Sequence, residues 1–308
     1  MRKFHLAGVL CFFLVCQSVK GQYYFFNDKY YDNDVVIELG GSFGIMNAFT
    51  DLGGKKGIGK NFIKDLNWKN SKPGFGLHVI ATYRSVIGLR LQGTFGQVVS
   101  YDSILKDVKE TTFGRYERNL SFKSRITDIQ LGIEVHPLFF KNYYNRDEEP
   151  PFLSPYIVAG VGYFSFDPQA NLNGQWYSLQ PLSTEGQGFA EYPDRKPYKL
   201  NQLNLAAGLG VKYEVTSLIN ARLEVNHRFL MTDYLDDVSE DSYIDPALFN
   251  NYLSASRAAI AQQLFDRRAE VDPGHITNPA YHRGDPKDKD AFFTIELKVG
   301  ITLGRQRR

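Results

Sequence analysis

The sequence has little cysteine, no long apolar run and almost no net charge. Its 308 residues include two cysteines, and 36 Lys+Arg stand against 34 Asp+Glu. A membrane-spanning helix needs roughly 20 consecutive apolar residues, and the absence of such runs excludes a polytopic helical membrane protein. A chain that is 14% aromatic has too many core-forming residues to be disordered. A globular protein or a β-barrel remains, because alternating strands hide a lipid-facing surface from hydropathy averages.

The first 21 residues have the pattern of a secretory signal peptide. Residues 1–3 are basic at two positions, residues 6–15 are apolar, and Val19 and Gly21 occupy the −3 and −1 positions of a cleavage site. Both cysteines lie in this leader, so a mature chain that begins at Gln22 has no thiol. Removing the leader leaves 33 basic against 34 acidic residues. Such a balance gives no electrostatic argument for nucleic-acid binding.

Eight later segments alternate between apolar and polar residues, which is the pattern of strands with two different faces. In 87–100, for example, Leu89 and Leu91 share one parity, whereas Arg90 and Gln92 share the other. The fifth segment is apolar or glycine on both parities, so the pattern leaves its faces open. The eight segments are 35–46, 75–84, 87–100, 122–136, 156–166, 203–214, 219–230 and 292–304.

Long and short connections alternate between these segments. An even number of strands, with long loops at one end and short turns at the other, is typical of an outer-membrane barrel with external loops and periplasmic turns. The sequence therefore predicts an all-β fold, an eight-stranded antiparallel up-and-down transmembrane β-barrel over 34–308. It also predicts a location in the cell outer membrane and a periplasmic N-terminal segment at 22–33. The alternative, a soluble barrel or sandwich, gives no reason for a glycine-rich outer face, since glycine weakens strands.

The residues at the polar positions of these segments predict a barrel interior that is filled by paired charges. Eight strands leave room only for side chains, and an unpaired charge in a dry lumen is costly. Six acidic and six basic residues share this parity, so we expect a salt-bridged plug, with a charged conduction path as the alternative. The predicted interior charge network is Glu38, Arg84, Arg90, Asp128, Glu134, Lys212, Glu214, Arg222, Glu224, Arg228, Glu296 and Lys298.

Two short motifs resemble catalytic or nucleotide-binding signatures. Residues 54–60 fit the GxxxxGK part of a P-loop, but Asn61 stands where a Ser or Thr hydroxyl binds Mg²⁺. A basic loop that meets lipopolysaccharide phosphates is the simpler interpretation. Residues 40–44 fit GxSxG, but Ser42 falls in mid-strand and not at a strand–turn–helix elbow. We therefore expect no enzymatic activity, no catalytic or metal-binding residue, no nucleotide and no cofactor.

The last long loop has an acidic start and a helical stretch. Acidic residues crowd 233–245 without EF-hand spacing, so the sequence leaves open whether oxygen ligands here hold a cation. Residues 246–270 are predicted to form one helix, with Asp245 as N-cap and Pro246 at the first position. Such a helix would either pack over the barrel mouth or provide a docking surface for another protein.

Three loop strings carry a family likeness: WYSLQPLSTEGQG at 176–188, TDYLDDVS at 232–239 and RGDPKDKD at 283–290. With the eight-strand layout, they resemble the Bacteroidota outer-membrane β-barrel family of PorG, over nearly the whole mature chain. The basic end at 305–308 is less typical. The resemblance implies structural or contact roles for Trp176, Thr184, Glu185, Gly186, Gln187, Gly188, Asp233, Tyr234, Asp236, Asp237, Arg283, Lys287 and Asp288.

The resemblance also implies a role and partners. PorG-like barrels are accessories of the type IX secretion system, so it implies contacts with a periplasmic ring complex as well as with outer-membrane lipid and lipopolysaccharide. The family has no catalytic residues to transfer. The residues themselves leave an alternative open, a surface-binding or stress-response barrel that acts through its long external loops, since long barrel loops often carry function.

Overall fold

A computed structural model of the protein describes residues 30–54, 67–112, 114–140, 153–216 and 218–307. The predicted signal peptide, 1–21, lies outside the described residues. So do residues 22–29 of the predicted periplasmic segment and residues 55–60 of the P-loop-like string.

Ten strands form one antiparallel sheet. They are β1 (Tyr30–Phe49), β2 (Lys72–Tyr83), β3 (Ile87–Tyr101), β4 (Ser121–Val135), β5 (Leu153–Ser165), β6 (Pro168–Leu172), β7 (Gln175–Ser178), β8 (Asn201–Glu214), β9 (Ile219–Leu230) and β10 (Ala291–Arg307). Eight of them close into a barrel in the order β1-β2-β3-β4-β5-β8-β9-β10, with β10 returning to β1. The predicted eight-stranded up-and-down barrel is thereby confirmed.

The two remaining strands form a hairpin within the predicted loop 167–202. β6 pairs with β7, and it also extends β4 at Lys123 and Ser124 beyond the end of β5. The sequence did not indicate this hairpin, because β6 and β7 span only five and four residues and contain no clear alternation.

At the end of the barrel opposite the β6–β7 hairpin, β1 and β10 extend beyond their neighbouring strands. β1 begins at Tyr30, so residues 30–33 of the predicted N-terminal segment belong to a strand. Residues 30–32 pair with 305–307, whereas the pairing of β1 with β2 starts only at Val35. A two-stranded ribbon therefore projects past the rest of the wall.

The wall has an apolar outer face and a polar inner face. Outward side chains such as Leu77, Leu209 and Ile129 are 67%, 64% and 56% exposed, and burying apolar surface is worth roughly 25 cal/mol per Å². The fifth segment, whose faces the pattern left open, places Ile157 and Val161 outward. A closed barrel with such an apolar belt spans a membrane, because closure satisfies the backbone hydrogen bonds in lipid.

Four long loops lie at one end and three shorter connections at the other. We name the loops L1 (50–71), L2 (102–120), L3 (166–200) and L4 (231–290), and the opposite end is the turn end. Short helices occur within the loops: α1 (Arg115–Arg118), α2 (Phe249–Tyr252) and α3 (Ala255–Leu264). No helix in the described part of the chain is long and apolar enough to cross a membrane.

The structure divides the single helix that was predicted at 246–270. Leu253 is extended, with φ −116° and ψ 157°, and separates α2 from α3. Ser254, also extended, is the N-cap of α3. The predicted cap is present, because the Asp245 carboxylate accepts from the Ala247 amide at 2.9 Å. A single continuous helix was therefore wrong, since the backbone leaves the helical region at Leu253.

The loops fold into a cap over the barrel mouth. A lower apolar cluster joins strand ends to the loops and contains Met46, Leu52, Val98, Leu120, Phe122, Ile126, Phe164, Phe166, Tyr198, Leu230, Leu235, Val238 and Phe292. An upper cluster is formed by L3 and L4 alone: Ala170, Leu179, Leu182, Phe189, Tyr243, Ile244, Phe249, Ala258, Ala261, Leu264 and Phe265. The cap thus has an apolar core of its own.

Candidate functional site

The centre of the barrel interior is an ion-pair network around Arg90. The Arg90 Nη1 donates to Glu134 Oε1 at 2.9 Å and to Glu224 Oε2 at 2.6 Å, and Nη2 donates to Glu224 Oε1 at 3.1 Å. None of the three side chains is more than 1% exposed. One guanidinium on β3 therefore bridges carboxylates on β4 and β9.

A second guanidinium extends this network toward the turn end. Arg222 donates from Nε and Nη2 to the two oxygens of Glu38, both at 2.8 Å, and from Nη1 to Glu134 at 3.0 Å. The Lys212 ammonium lies 3.7 Å from Glu38 and 4.0 Å from Glu214. Glu134 thus accepts from both arginines, and the acidic residues at this level are paired.

Toward the loop end, Lys298 and Arg228 complete the plug. The Lys298 Nζ donates to Glu224 at 2.9 Å and lies 3.5 Å from Glu296. Arg228 donates to Asp128 at 3.2 Å. The Ser42 hydroxyl donates to Glu296 at 3.0 Å, so the serine of the GxSxG string belongs to this network, inside the continuous strand β1.

Two inward glycines make room for large side chains. A Cβ at Gly210 would lie 2.3 Å from the ring of Tyr156, and a Cβ at Gly300 would lie 2.6 Å from the Glu38 carboxylate. The Tyr156 hydroxyl donates to Glu224 at 2.6 Å. Glycine on the inner parity therefore lets Tyr156 and Glu38 lean across the neighbouring strand to partners two strands away.

One predicted member of the network lies elsewhere. Arg84 belongs to the turn between β2 and β3, where its φ is +47°, and its guanidinium pairs at 3.3 Å with Asp34 at the turn-end surface. The prediction that Arg84 is interior was wrong, because β2 ends at Tyr83 and the parity no longer applies in the turn. The other eleven predicted residues lie on the inner face.

The second site is the joint at which the cap loops meet, and Arg283 of L4 is at its centre. Its Nε donates to Glu185 Oε1 at 2.9 Å and its Nη2 to the Thr184 hydroxyl at 3.2 Å, both in L3. Its Nη1 donates to the Phe265 carbonyl at 2.6 Å. Arg283 is 2% exposed. All three strings that carry the resemblance are in contact here, since Arg283 also donates to the Asp237 carbonyl at 3.3 Å.

Asp237 links L3 and L4 a second time. Its carboxylate accepts from the Thr184 hydroxyl through Oδ2 and from the Tyr198 hydroxyl through Oδ1, the latter at 2.6 Å. The ring of Tyr198 stacks on Tyr234 with centroids 4.5 Å apart. Glu185 in turn accepts from the backbone amides of Ser239 and Glu240, each at 3.1 Å.

A second buried ion pair, between Arg118 and Asp102, connects L1 and L2 to the joint. Arg118 of L2 donates to Asp102 at 2.8 and 3.0 Å and to the Asp51 carbonyl of L1 at 2.7 Å, and it also donates to the Arg283 carbonyl. The Asp102 carboxylate accepts from the Gly53 amide at 2.9 Å. All four loops are therefore tied together. Sequence reasoning missed Asp102 and Arg118, which belong to none of the three loop strings and to no periodic pattern.

The joint contains more carboxylates than cations. Its ionisable members are Asp51, Asp102, Glu185, Asp233, Asp236, Asp237, Asp290, Arg118 and Arg283. Burial raises the pKa of Glu185 to about 7 and that of Asp237 to about 6. Burial, together with the neighbouring carboxylates, raises the pKa of Asp233 to about 9 and holds that of Asp290 well above its usual range.

Other residues implied by the resemblance lie around or away from the joint. Gly186 and Gly188 have φ values of +74° and +85° and shape the turn that presents Glu185, and Gln187 accepts from the Glu185 amide at 3.2 Å. Asp236 accepts from the Val238 amide at 2.9 Å. Lys287 and Asp288 are exposed, and Trp176 lies on β7, outside the joint. Among the described residues, no group of three or more His, Cys, Asp or Glu is arranged to hold a metal ion.

Comparison with known proteins adds fold similarity. No protein-family model matches the sequence, and no curated protein matches it either. Among solved structures, outer membrane protein OprG from Pseudomonas aeruginosa is 11% identical with a TM-score of 0.41, over 89% of this chain and 97% of that one. Neisserial surface protein A is 9% identical with a TM-score of 0.35, over 88% and 98%. Ail, the attachment invasion locus protein of Yersinia pestis, is 11% identical with a TM-score of 0.34, over 89% and 100%.

The similarity to these proteins is one of fold. Identities near one residue in ten and TM-scores below 0.5 do not transfer a ligand, a partner or a role. A function for this chain is therefore inferred from its packed lumen and its cap joint.

Proposed function

We propose that this chain is a non-enzymatic outer-membrane barrel that does not conduct, and that it serves as a structural accessory of type IX protein secretion by contacting a periplasmic ring complex. Three features support the proposal: the leader-like start, the PorG-like loop strings and the closed interior. The surfaces at the two ends of the barrel then act on partners, while the apolar belt contacts outer-membrane lipid and lipopolysaccharide.

The packed lumen is the observation that carries the proposal. Arg90, Glu134 and Lys298 are each 0% exposed, so side chains fill the middle of the barrel and leave no water-lined path at that level. A barrel without such a path has only its two ends to offer to other proteins. A large, steady conductance in planar bilayers would contradict a structural role.

The turn end offers the periplasmic surface. Beyond the last pairs of β2 and β9, the ribbon of 30–32 and 305–307 is hydrogen-bonded only within itself among the described strands. Unpaired strand edges are templates for an added strand. This ribbon, with Ser85 and Thr216 at the turn end, is the surface that we assign to the periplasmic partner.

Position-specific photo-crosslinking in cells tests this assignment. A crosslinking amino acid at Ser85 or Thr216, both at the turn end, is expected to capture periplasmic ring subunits. The same group at Ile276, which is 84% exposed in L4, is the matched control and is expected to capture none. A gene deletion should also reduce the set of exported proteins. Unchanged export together with empty crosslinks at Ser85 and Thr216 would overturn the proposed role.

A second candidate, a surface-binding barrel, is favoured by the cap. L3 and L4 share an apolar core, whereas a loop that only connects strands has no need of one. Copurification separates the two roles. Retention of periplasmic ring proteins supports the accessory role, and retention of an external ligand that is lost when the cap is disrupted supports the surface-binding role.

A further inference from the structure

The outer face of the barrel wall is almost free of formal charge. Within the strand residues whose side chains the structure describes, the outward parity of the eight barrel strands carries two permanently charged residues, Lys123 and Arg125. Both are on β4, two residues apart, and therefore on the same face. The other described residues on this outward face are apolar, aromatic or polar without a permanent charge, so the two cations are an exception.

The two cations lie at the level where lipid headgroups begin. The exposed apolar residues of β4 are Ile129, Leu131 and Ile133, and Arg125 is four residues beyond Ile129 toward the loop end. At about 3.3 Å per residue and a tilt of about 45°, Arg125 is roughly 10 Å above that apolar row. The outer border of the hydrocarbon is the level at which Lys and Arg meet headgroups.

An aromatic residue joins them from the hairpin. The Lys123 Nζ lies 3.6 Å from the ring centroid of Trp176 on β7, and Trp176 is 38% exposed. Tryptophan is enriched at membrane interfaces, where its ring meets acyl chains and its N–H meets headgroups. The short hairpin β6–β7, which extends β4 at Lys123, places this ring beside the cations.

The described residues supply no ion-pair partner for either cation, Lys123 or Arg125. Asp167, at the base of the hairpin, accepts through Oδ2 from Gln169 at 2.6 Å and from Ser178 at 3.0 Å. Two like charges on one face repel each other, and an anion from outside the chain would relieve that repulsion.

We propose that Lys123, Arg125 and Trp176 form a binding site for the phosphate group of an outer-leaflet lipid, with the acyl chains lying on the apolar outer face of β4 below. Arg125 binds phosphate oxygens as a planar fork and Lys123 as a point charge. The proposal rests only on the membrane placement in the proposed function and not on the secretion role. It assigns the outer surface of this wall a specific lipid in addition to bulk lipid.

The test uses the full mature chain in phosphatidylcholine nanodiscs that contain 5 mol% of a spin-labelled lipid, either bisphosphorylated lipid A or a dephosphorylated form. Trp68 and Trp176 are the two tryptophans of the sequence, so a Trp68→Phe background makes Trp176 fluorescence a local reporter. We expect phosphorylated lipid A to quench Trp176 at a lower mole fraction than the dephosphorylated form. Lys123→Ala with Arg125→Ala should weaken this preference about 30-fold, and each single change about fivefold.

The matched control is Lys196→Ala with Lys199→Ala, which removes two exposed cations of L3 and should leave quenching unchanged. Charge-conserving Lys123→Arg should retain the preference. Equal quenching by the two lipids, or an equal loss in the L3 control, would overturn the site, as would full competition by free inorganic phosphate. Protease protection of the barrel in the same nanodiscs checks insertion separately, so failure of the membrane placement is distinguished from failure of the lipid site.

Discussion

The lumen and the cap both bury charge, but they balance it differently. In the lumen, carboxylates such as Glu38, Glu134 and Glu224 each meet a guanidinium or ammonium within 3.0 Å. The cap joint contains seven carboxylates and the two guanidiniums of Arg118 and Arg283. The carboxylates that neither guanidinium contacts accept hydrogen bonds from backbone amides and hydroxyls, and burial raises pKa values among them. The lumen therefore pairs its carboxylates with cations, whereas the cap joint has an excess of carboxylates and is expected to titrate.

The difference in charge pairing gives the two regions different stabilities. Ion pairs across the lumen hold strands of different parts of the wall together. An excess of buried carboxylates makes the cap the weaker part, because each extra ionised group adds repulsion that only protonation or opening relieves. The cap is thus expected to open without loss of the barrel.

The largest expected effect comes from removing the central cation of the lumen. Arg90→Met leaves Glu134 and Glu224 partly unpaired in a dry interior, and breaking a buried pair in this way costs about 3–5 kcal/mol. Reversible urea unfolding of the reconstituted barrel should show this loss. Arg84→Ala, which removes the surface pair with Asp34, is the matched control and should change stability by at most about 1 kcal/mol. Equal losses in the two variants would contradict the lumen network.

Removal of the central cation of the cap should weaken only the cap. Arg283→Met deletes the contacts to Glu185 and Thr184 and to the Phe265 carbonyl, with an expected local loss of about 3 kcal/mol. Limited proteolysis within L3 and L4 should become faster, while urea unfolding of the barrel stays close to wild type. Lys287→Ala, an exposed neighbour, should leave the proteolysis rate unchanged. A barrel that unfolds together with the cap would show that the two regions are one cooperative unit.

Cap stability should fall as pH rises. A carboxyl group whose pKa is raised on folding favours the folded state while it is protonated, so this contribution is present below the unfolded pKa and is lost as pH rises toward the folded pKa. For Glu185, with a folded pKa of about 7 against 4.5, the loss between pH 5 and 7 is about 2 kcal/mol. The hydrogen-exchange protection factors of L3 and L4, which are corrected for the pH dependence of intrinsic amide exchange, should fall over this range, and Glu185→Gln should flatten the profile. Protection factors that rise with pH would contradict the assigned sign.

The smallest expected effect concerns the GxSxG serine. Ser42→Ala removes one hydrogen bond to Glu296, which keeps its contacts to Lys298 and to Gln92 at 3.1 Å. The expected loss is about 1 kcal/mol in barrel unfolding. A serine-reactive probe on isolated membranes should label the wild type and the variant equally. Labelling that disappears with Ser42→Ala would instead support an enzyme.

The barrel was predictable because its pattern is periodic. Residues such as Leu89 and Arg90 alternate along each strand, and a period of two fixes which side chain faces lipid and which faces the lumen. Prediction failed at Arg84, where a turn ends the period. It also missed the hairpin β6–β7, whose strands are too short to show a pattern.

The sequence pointed to residues of the cap only through the three loop strings that resemble the PorG family. Those strings named Thr184, Glu185, Asp237 and Arg283, but nothing in their spacing indicates that they meet in space, since Glu185 and Arg283 are 98 residues apart. Asp102 and Arg118 lie in no such string and were missed. Contacts between loops depend on the tertiary packing of four segments, and a single sequence contains no local signal for that packing.

The pairing of β1 with β10 imposes an order of events on biogenesis. β1 finds its permanent neighbour in β10, the eighth wall strand in chain order, so a chain that stops before β10 cannot complete the cylinder. Until β10 has formed, the apolar outer face of the earlier strands needs protection during passage to the membrane. Removal of residues 291–307 is therefore expected to prevent closure of the barrel.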